Sequence, residues 1–152
     1  MKERYKLELY YENKKSQQQI LNNATNINYN IDLKSESLLF KGDNFNVLAF
    51  LLKKYKDKID LVYIDPTFNT TNDFYISDTR ANSVSTNKNS ILAYSDKMSK
   101  EEFLEFLRER LMLIKELLSP KGSIYLHIDY KIGHYVKIIM DEIFGEKNFK
   151  ND

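Results

Sequence analysis

The 152-residue chain contains no cysteine, which excludes disulfides and thiolate metal sites and fits a reducing compartment. Glycine is nearly as scarce. Only Gly42, Gly122, Gly133 and Gly145 occur, and no two stand close enough to form a glycine-rich loop. An excess of charge of one sign is also missing: 23 basic residues face 22 acidic ones, so the net charge is +1 and no global basic field attracts a polyanion. No apolar run approaches membrane-spanning length, and the opening Met1-Lys2-Glu3-Arg4-Tyr5 is too acidic and polar to begin a signal peptide, so a cytoplasmic protein is expected. The two histidines, His127 and His134, fall on separate predicted elements. No metal-ligand spacing results, and no metal site is expected. What remains, 42% hydrophobic and 30% charged residues, describes one soluble globular domain with a modest core.

Residues 1–36 read as a polar amino-terminal arm, because Asn13 to Asn30 is rich in Asn, Gln, Lys and Ser and suits a surface helix or a loose segment. Ser37-Leu38-Leu39-Phe40-Lys41 predicts a buried strand closed by Gly42-Asp43, with Asn44 capping a helix that carries Val47, Leu48, Leu51 and Leu52. Leu61 to Ile64 is a short strand, apolar on both faces as a central parallel strand is. Residues 69–96 are rich in Asn, Thr and Ser with little periodicity. They predict a long loop, either functional or a flexible surface excursion. Ser99-Lys100-Glu101-Glu102 is a capping box, and Phe103, Leu107, Leu111, Ile114 and Leu118 then form one helical stripe, ended by Ser119-Pro120-Lys121-Gly122. Ile124 to Ile128 is a third apolar strand. Ile132, Val136, Ile139, Met140 and Ile143 mark a last helix stopped by Gly145. Alternating strands and helices give an α/β fold with a three-layer sheet.

Leu61-Val62-Tyr63-Ile64-Asp65-Pro66-Thr67-Phe68-Asn69 is where chemistry is expected. Ligands of open α/β sheets bind just outside the carboxyl ends of strands, and Asp65 is the first residue there. The following proline keeps Asp65 extended and stops the strand from rolling into a helix. A carboxylate and a backbone carbonyl side by side can each accept one N–H of an exocyclic amine, favouring a pyramidal nitrogen and the positive charge that grows on it during attack. Phe68 can stack on a base that has left its duplex. The plainer alternatives are a turn-forming aspartate for Asp65 and a core ring for Phe68. Asp43 can equally cap the next helix, Asp129 the last one, and His127 reads as a core or strand-end residue.

Three ordered segments carry a resemblance: Phe40-Lys41-Gly42-Asp43-Asn44, then Asp65-Pro66-Thr67-Phe68-Asn69-Thr70, then Gly122-Ser123-Ile124-Tyr125-Leu126-His127-Ile128-Asp129. Together with the tail from Met140 to Phe149, they resemble the amino-terminal portion of bacterial adenine-specific DNA methyltransferases of restriction-modification systems, in the permuted class whose catalytic motif precedes the cofactor motif. The resemblance implies that residues 37–152 are part of a Rossmann-like catalytic domain using S-adenosylmethionine to methylate the N6 amino group of adenine in DNA. It assigns catalysis to Asp65, Pro66, Thr67 and Phe68, and places Asp43 and Asp65 at the cofactor, with Arg80 and Lys88 as phosphate contacts.

Two departures stand out. The family pattern is Asp-Pro-Pro followed by an aromatic, whereas Thr67 replaces the second proline here, restoring an amide and loosening the restraint on Pro66. The family's Phe-x-Gly-x-Gly cofactor loop is not in this sequence, and the chain reaches Asn151-Asp152 where the family continues into more sheet and a target-recognition region. A truncated methyltransferase is therefore expected, partnered by DNA and by a restriction endonuclease or a second chain that completes the fold. The other readings are an inactive fragment or assembly half, and an enzyme of the same fold acting on cytosine N4.

Overall fold

Ser16 opens the first helix. In the computed structural model, which describes residues 7–27, 37–66 and 98–152 together with the backbone of strands at 73–76, 81–82 and 91–95, the Ser16 hydroxyl accepts from the Gln19 amide. The Gln19 side chain in turn accepts from the Ser16 amide. This capping box starts α1 (Gln17–Thr25), which turns Ile20 and Ala24 into the interior. A stretch that reads as polar surface thus contributes two core residues. The segment before it is fastened as well: the Tyr11 hydroxyl donates to Glu105 at 2.5 Å, and the Lys14 ammonium lies 2.9 Å from both Glu8 and Glu142. Burial first, and then the Glu105 carboxylate, push the Tyr11 phenol far above its ordinary pKa.

The strand predicted at Ser37–Lys41 does not form. Leu39 is 98% exposed, and Phe40 turns inward to meet Phe50 edge-on with ring centroids 6.2 Å apart. Hydrophobicity signals burial, whereas a strand also needs a neighbouring backbone to satisfy its amides, and no described strand offers one here. The helix that follows, α2 (Asn44–Tyr55), is capped by Asp43 rather than Asn44: Asp43 Oδ1 accepts from the Asn46 amide at 3.1 Å. A turn over residues 56–58 leads into β1 (Ile59–Ile64).

Inside the stretch read as a loop the backbone forms β2 (Asp73–Ile76), β3 (Ala81–Asn82) and β4 (Ile91–Ser95), an antiparallel sheet in the order β3-β2-β4. The reason is visible in Phe74-Tyr75-Ile76 and Ile91-Leu92-Ala93-Tyr94, two aromatic and β-branched runs short enough to vanish in the Asn, Ser and Thr around them.

Next come α3 (Lys100–Leu117), with the Ser99–Glu102 capping box, and β5 (Leu118–Leu126), which takes in Leu118, predicted as the last residue of the helical stripe, and Ser119–Gly122, predicted as a turn, and ends at Leu126 rather than Ile128. After it, Asp129 caps α4 (Tyr130–Phe144) by accepting from the Lys131 amide at 2.8 Å, and Gly145 stops that helix at φ +90°, a conformation glycine adopts without strain.

β1 and β5 pair in parallel, with Leu61 opposite Ser123, Tyr63 opposite Tyr125 and Ile64 opposite Leu126. The register slips between Ile59, opposite Leu118, and Leu61. The Ser119 hydroxyl donates to Asp60 at 2.6 Å across this irregularity; that bond first, and then Lys121, hold the Asp60 carboxyl below its ordinary pKa. Gly122 makes the return possible, since a Cβ there would stand 2.7 Å from the Ile59 carbonyl oxygen and 2.9 Å from Leu118 Cδ2. Gly122→Ala is expected to cost about 1–3 kcal/mol, read as a lower urea midpoint at unchanged slope. An unchanged midpoint would contradict the close approach.

Phe103, Leu107 and Leu111 of α3 pack with Ile132, Val136, Ile139 and Ile143 of α4, and Ile64, Ile124 and Leu126 from one face of the sheet join them. Ala24, Ala49 and Leu113 make a second cluster among α1, α2 and α3. The opposite sheet face, with Leu61, Tyr63 and Tyr125, is exposed. The described architecture is thus a mixed α/β fold around a small two-stranded parallel sheet, and the three-layer arrangement predicted from the sequence is not seen among the described residues. Among those residues no helix is long and apolar enough to cross a membrane.

Candidate active site

Both parallel strands end at one rim. The His127 amide donates to the Ile64 carbonyl at 2.9 Å, carrying the pairing one step past Leu126 and setting His127 beside the point where Asp65 leaves β1. Asp129 follows two residues later as the α4 cap. Asp65 is exposed and makes no side-chain hydrogen bond or ion pair with another described residue, while Pro66 is half-buried. The acid therefore faces solvent rather than packed protein. Thr67, Phe68, Arg80 and Lys88 lie outside the described residues.

Asp43 stands at the amino end of α2. A short turn over residues 56–58 joins that helix to β1. One oxygen of Asp43 caps α2; the other accepts from Arg110 Nη2 at 3.1 Å, and the side chain is still 49% exposed. Its outward lone pairs remain available to a ligand.

Arg110 is the residue that reading the sequence missed. It is buried, its Nε donates to Asn44 Oδ1 at 2.6 Å, its Nη1 donates to the Phe106 carbonyl at 3.0 Å, and its guanidinium lies 3.5 Å from the centroid of the Phe106 ring. Burial pushes its pKa down, and Asp43 and then Glu109 push it back up. The available signal was its position four residues after Phe106 and beside Leu111, on the flank of the apolar stripe.

A cavity of about 490 Å³ lies elsewhere, between the amino-terminal segment, α3 and α4, lined by Tyr11, Lys14, Arg108, Met112 and Glu142 among others. Neither Asp43, Asp65 nor Pro66 borders it.

Asp65, beside a proline carbonyl at the end of β1, and Asp43, at the start of α2, are each acceptors suited to amino groups, and the cavity described above does not join them. The chain belongs to the DNA methylase family, whose model matches residues 59–152; Asp65, Pro66 and Arg110 fall within the match and Asp43 outside it. It is similar to the HindVI Mod subunit of Haemophilus influenzae, named as a probable type III restriction-modification enzyme, with 36% identity over 117 residues. That likeness covers 77% of this chain and 13% of the relative. The type III restriction-modification enzyme EcoP15I Mod subunit of Escherichia coli is 34% identical over 131 residues, covering 78% of the chain and 20% of its own length. The type II methyltransferase M.KpnI of Klebsiella pneumoniae is 38% identical over 116 residues, covering 76% and 25%. The chain thus spans a quarter or less of the length of these curated relatives.

Proposed function

We propose that this chain is the amine-polarising part of an S-adenosylmethionine-dependent DNA methyltransferase acting on adenine N6. The observation that carries the proposal is the exposed Asp65, followed by a half-buried Pro66, at the carboxyl end of β1, inside the region matched by the DNA methylase family. In this reading Asp65 and the Pro66 carbonyl each accept one N–H of the target amine. Thr67 continues the catalytic turn, and Phe68 stacks on the extruded base. Holding the amine in attack geometry supplies much of the rate, because orientation replaces a loss of entropy at the barrier.

The residues present fit the cofactor. Asp43 and Asp65 offer carboxylate oxygens to its amino groups, and Asp43 keeps half of its side chain open to receive one. When bound, S-adenosylmethionine supplies a methyl group made electrophilic by its sulfonium. Asp43 would hold the edge of the cofactor, and Asp65 would face both cofactor and base.

The finer architecture belongs to the same proposal. The open face formed by Leu61, Tyr63 and Tyr125 suits the second helix layer of a Rossmann-like, three-layer sheet. Further polypeptide, carrying a glycine-rich cofactor loop, would complete it. We call that assembly the complete enzyme. It would act in the cytoplasm on DNA beside a restriction endonuclease, a reading supported by relatives that bear restriction-modification names.

A second reading, an inactive fragment or an assembly half, draws on the four scattered glycines, none of which builds a cofactor loop. Calorimetric titration with S-adenosylmethionine separates the two. The complete enzyme is expected to bind and the 152-residue chain alone to bind weakly or not at all. Tight binding by the chain alone contradicts the need for a completing segment, and no binding by the complete enzyme contradicts the proposed function.

A further inference from the structure

We propose that Arg110 is a positioning residue for the cofactor: from α3 it fixes the carboxylate of Asp43 and so sets the cofactor edge of the site. The inference rests on the proposed function for its cofactor and on geometry for its mechanism.

The guanidinium crosses from one helix to the first turn of another. Nη2 binds Asp43, Nε binds Asn44 and Nη1 binds the Phe106 carbonyl on its own helix, so each of its nitrogens has a partner. Its planar face rests on Phe106, and its centre lies 5.8 Å from the ring centroid of Phe45. A group held at three nitrogens and one face has little rotational freedom, and it passes that restraint to what it binds. Asp43 is then held at both oxygens, by Arg110 on one and by the Asn46 amide on the other. An exposed carboxylate elsewhere on a surface samples several rotamers; this one is oriented before a ligand arrives.

Burial argues against Arg110 being a simple surface tie. Its side chain is 10% exposed against 49% for Asp43, so the cation is committed to the protein while its partner looks outward. Lysine cannot reproduce the arrangement, since an ammonium has no planar fork to reach Asp43 and Asn44 together.

The test compares four forms of the complete enzyme: wild type, Arg110→Met, Asp43→Asn, and Leu113→Ala as a control. Leu113 lies in the same interface between α2 and α3, and its aliphatic side chain can make no hydrogen bond or ion pair with the arrangement. For Arg110→Met the KM for S-adenosylmethionine should rise about tenfold, the size expected when a charge-assisted bond orienting a ligand group is lost, while the KM for DNA stays within about twofold. Hydrogen exchange at the Asn46 amide should accelerate. Leu113→Ala should lower the melting temperature without raising the cofactor KM, and the double variant Arg110→Met with Asp43→Asn should be no worse for the cofactor than Asp43→Asn alone.

Equal rises in cofactor KM for Arg110→Met and Leu113→Ala would reduce Arg110 to a structural role and overturn the inference. So would additive effects in the double variant, or unchanged exchange at Asn46. Failure of the proposed function looks different: the wild type then binds no S-adenosylmethionine by calorimetry, which removes the cofactor half of the inference, while exchange at Asn46 still reports whether Arg110 orders the turn.

Discussion

Asp65→Asn in the complete enzyme is expected to lower kcat for methyl transfer by at least about 100-fold, the usual loss when one preorganised group facing developing charge is removed. The substitution keeps the shape of the side chain and one acceptor oxygen, yet replaces a negative charge by a dipole at the point where the target nitrogen becomes positive. Affinity for S-adenosylmethionine should change much less than kcat, because Asp43 remains. Stability should also be nearly unchanged, since Asp65 is exposed and has no described side-chain partner whose loss would unfold anything. Single-turnover measurement of labelled methyl incorporation, with thermal melting of the same sample, separates these effects. A variant that retains more than half the wild-type rate would remove Asp65 from the chemistry.

The second large effect concerns the fold. Leu111 is fully buried at the centre of the cluster formed by α3 and α4, with Phe103 and Leu107 on its own helix and Val136, Ile139 and Ile143 in the same core. Leu111→Ala removes apolar atoms from a site walled by two helices and the sheet, and should cost about 2–5 kcal/mol. Against a typical total of about 5–15 kcal/mol, that leaves a chain of this size close to unfolding. Leu111→Met, which nearly conserves volume, should cost less than about 1.5 kcal/mol. Urea titration of both variants distinguishes a packed core from a loose one; a loss below about 1 kcal/mol for the alanine variant would mean that α3 and α4 are not tightly packed.

Long, strongly patterned elements were legible in the sequence. Ser99 and Glu102 announced α3, its stripe named Phe103, Leu107, Leu111 and Ile114, and Asp129 and Gly145 bracketed α4 as their chemistry suggests. Those signals are local, arising from one turn of backbone and one helical face. What the sequence did not reveal depends on partners. Leu38-Leu39-Phe40 reads as a strand, but strand formation requires a second backbone, and here only Phe40 is drawn inward by Phe50. For α1 a surface helix was one of two readings, and its core contribution was obscured because just two of its residues, Ile20 and Ala24, carry its packing. β2, β3 and β4 were short runs inside a polar background.

The candidate site divides in the same way. Asp65 at the end of an apolar strand followed by proline is a local statement and could be read directly, and the structure sets it in the open beside His127. Arg110 could not be read so easily, because its meaning comes from a contact with Asp43, 67 positions away, and inside an amphipathic helix an arginine passes for surface. Asp43 caps α2 through a local bond from the Asn46 amide, and the long-range contact with Arg110 orients its other oxygen.

The central claim is that an acid and a peptide oxygen just beyond β1 receive the amine of an adenine lifted from DNA. Its most direct measurement is nucleoside analysis by mass spectrometry after the complete enzyme has acted on unmethylated DNA with methyl-labelled S-adenosylmethionine. The label is expected in N6-methyladenine and to disappear with Asp65→Asn. Label in N4-methylcytosine, or N6-methyladenine formed at an undiminished rate by the variant, would contradict the account.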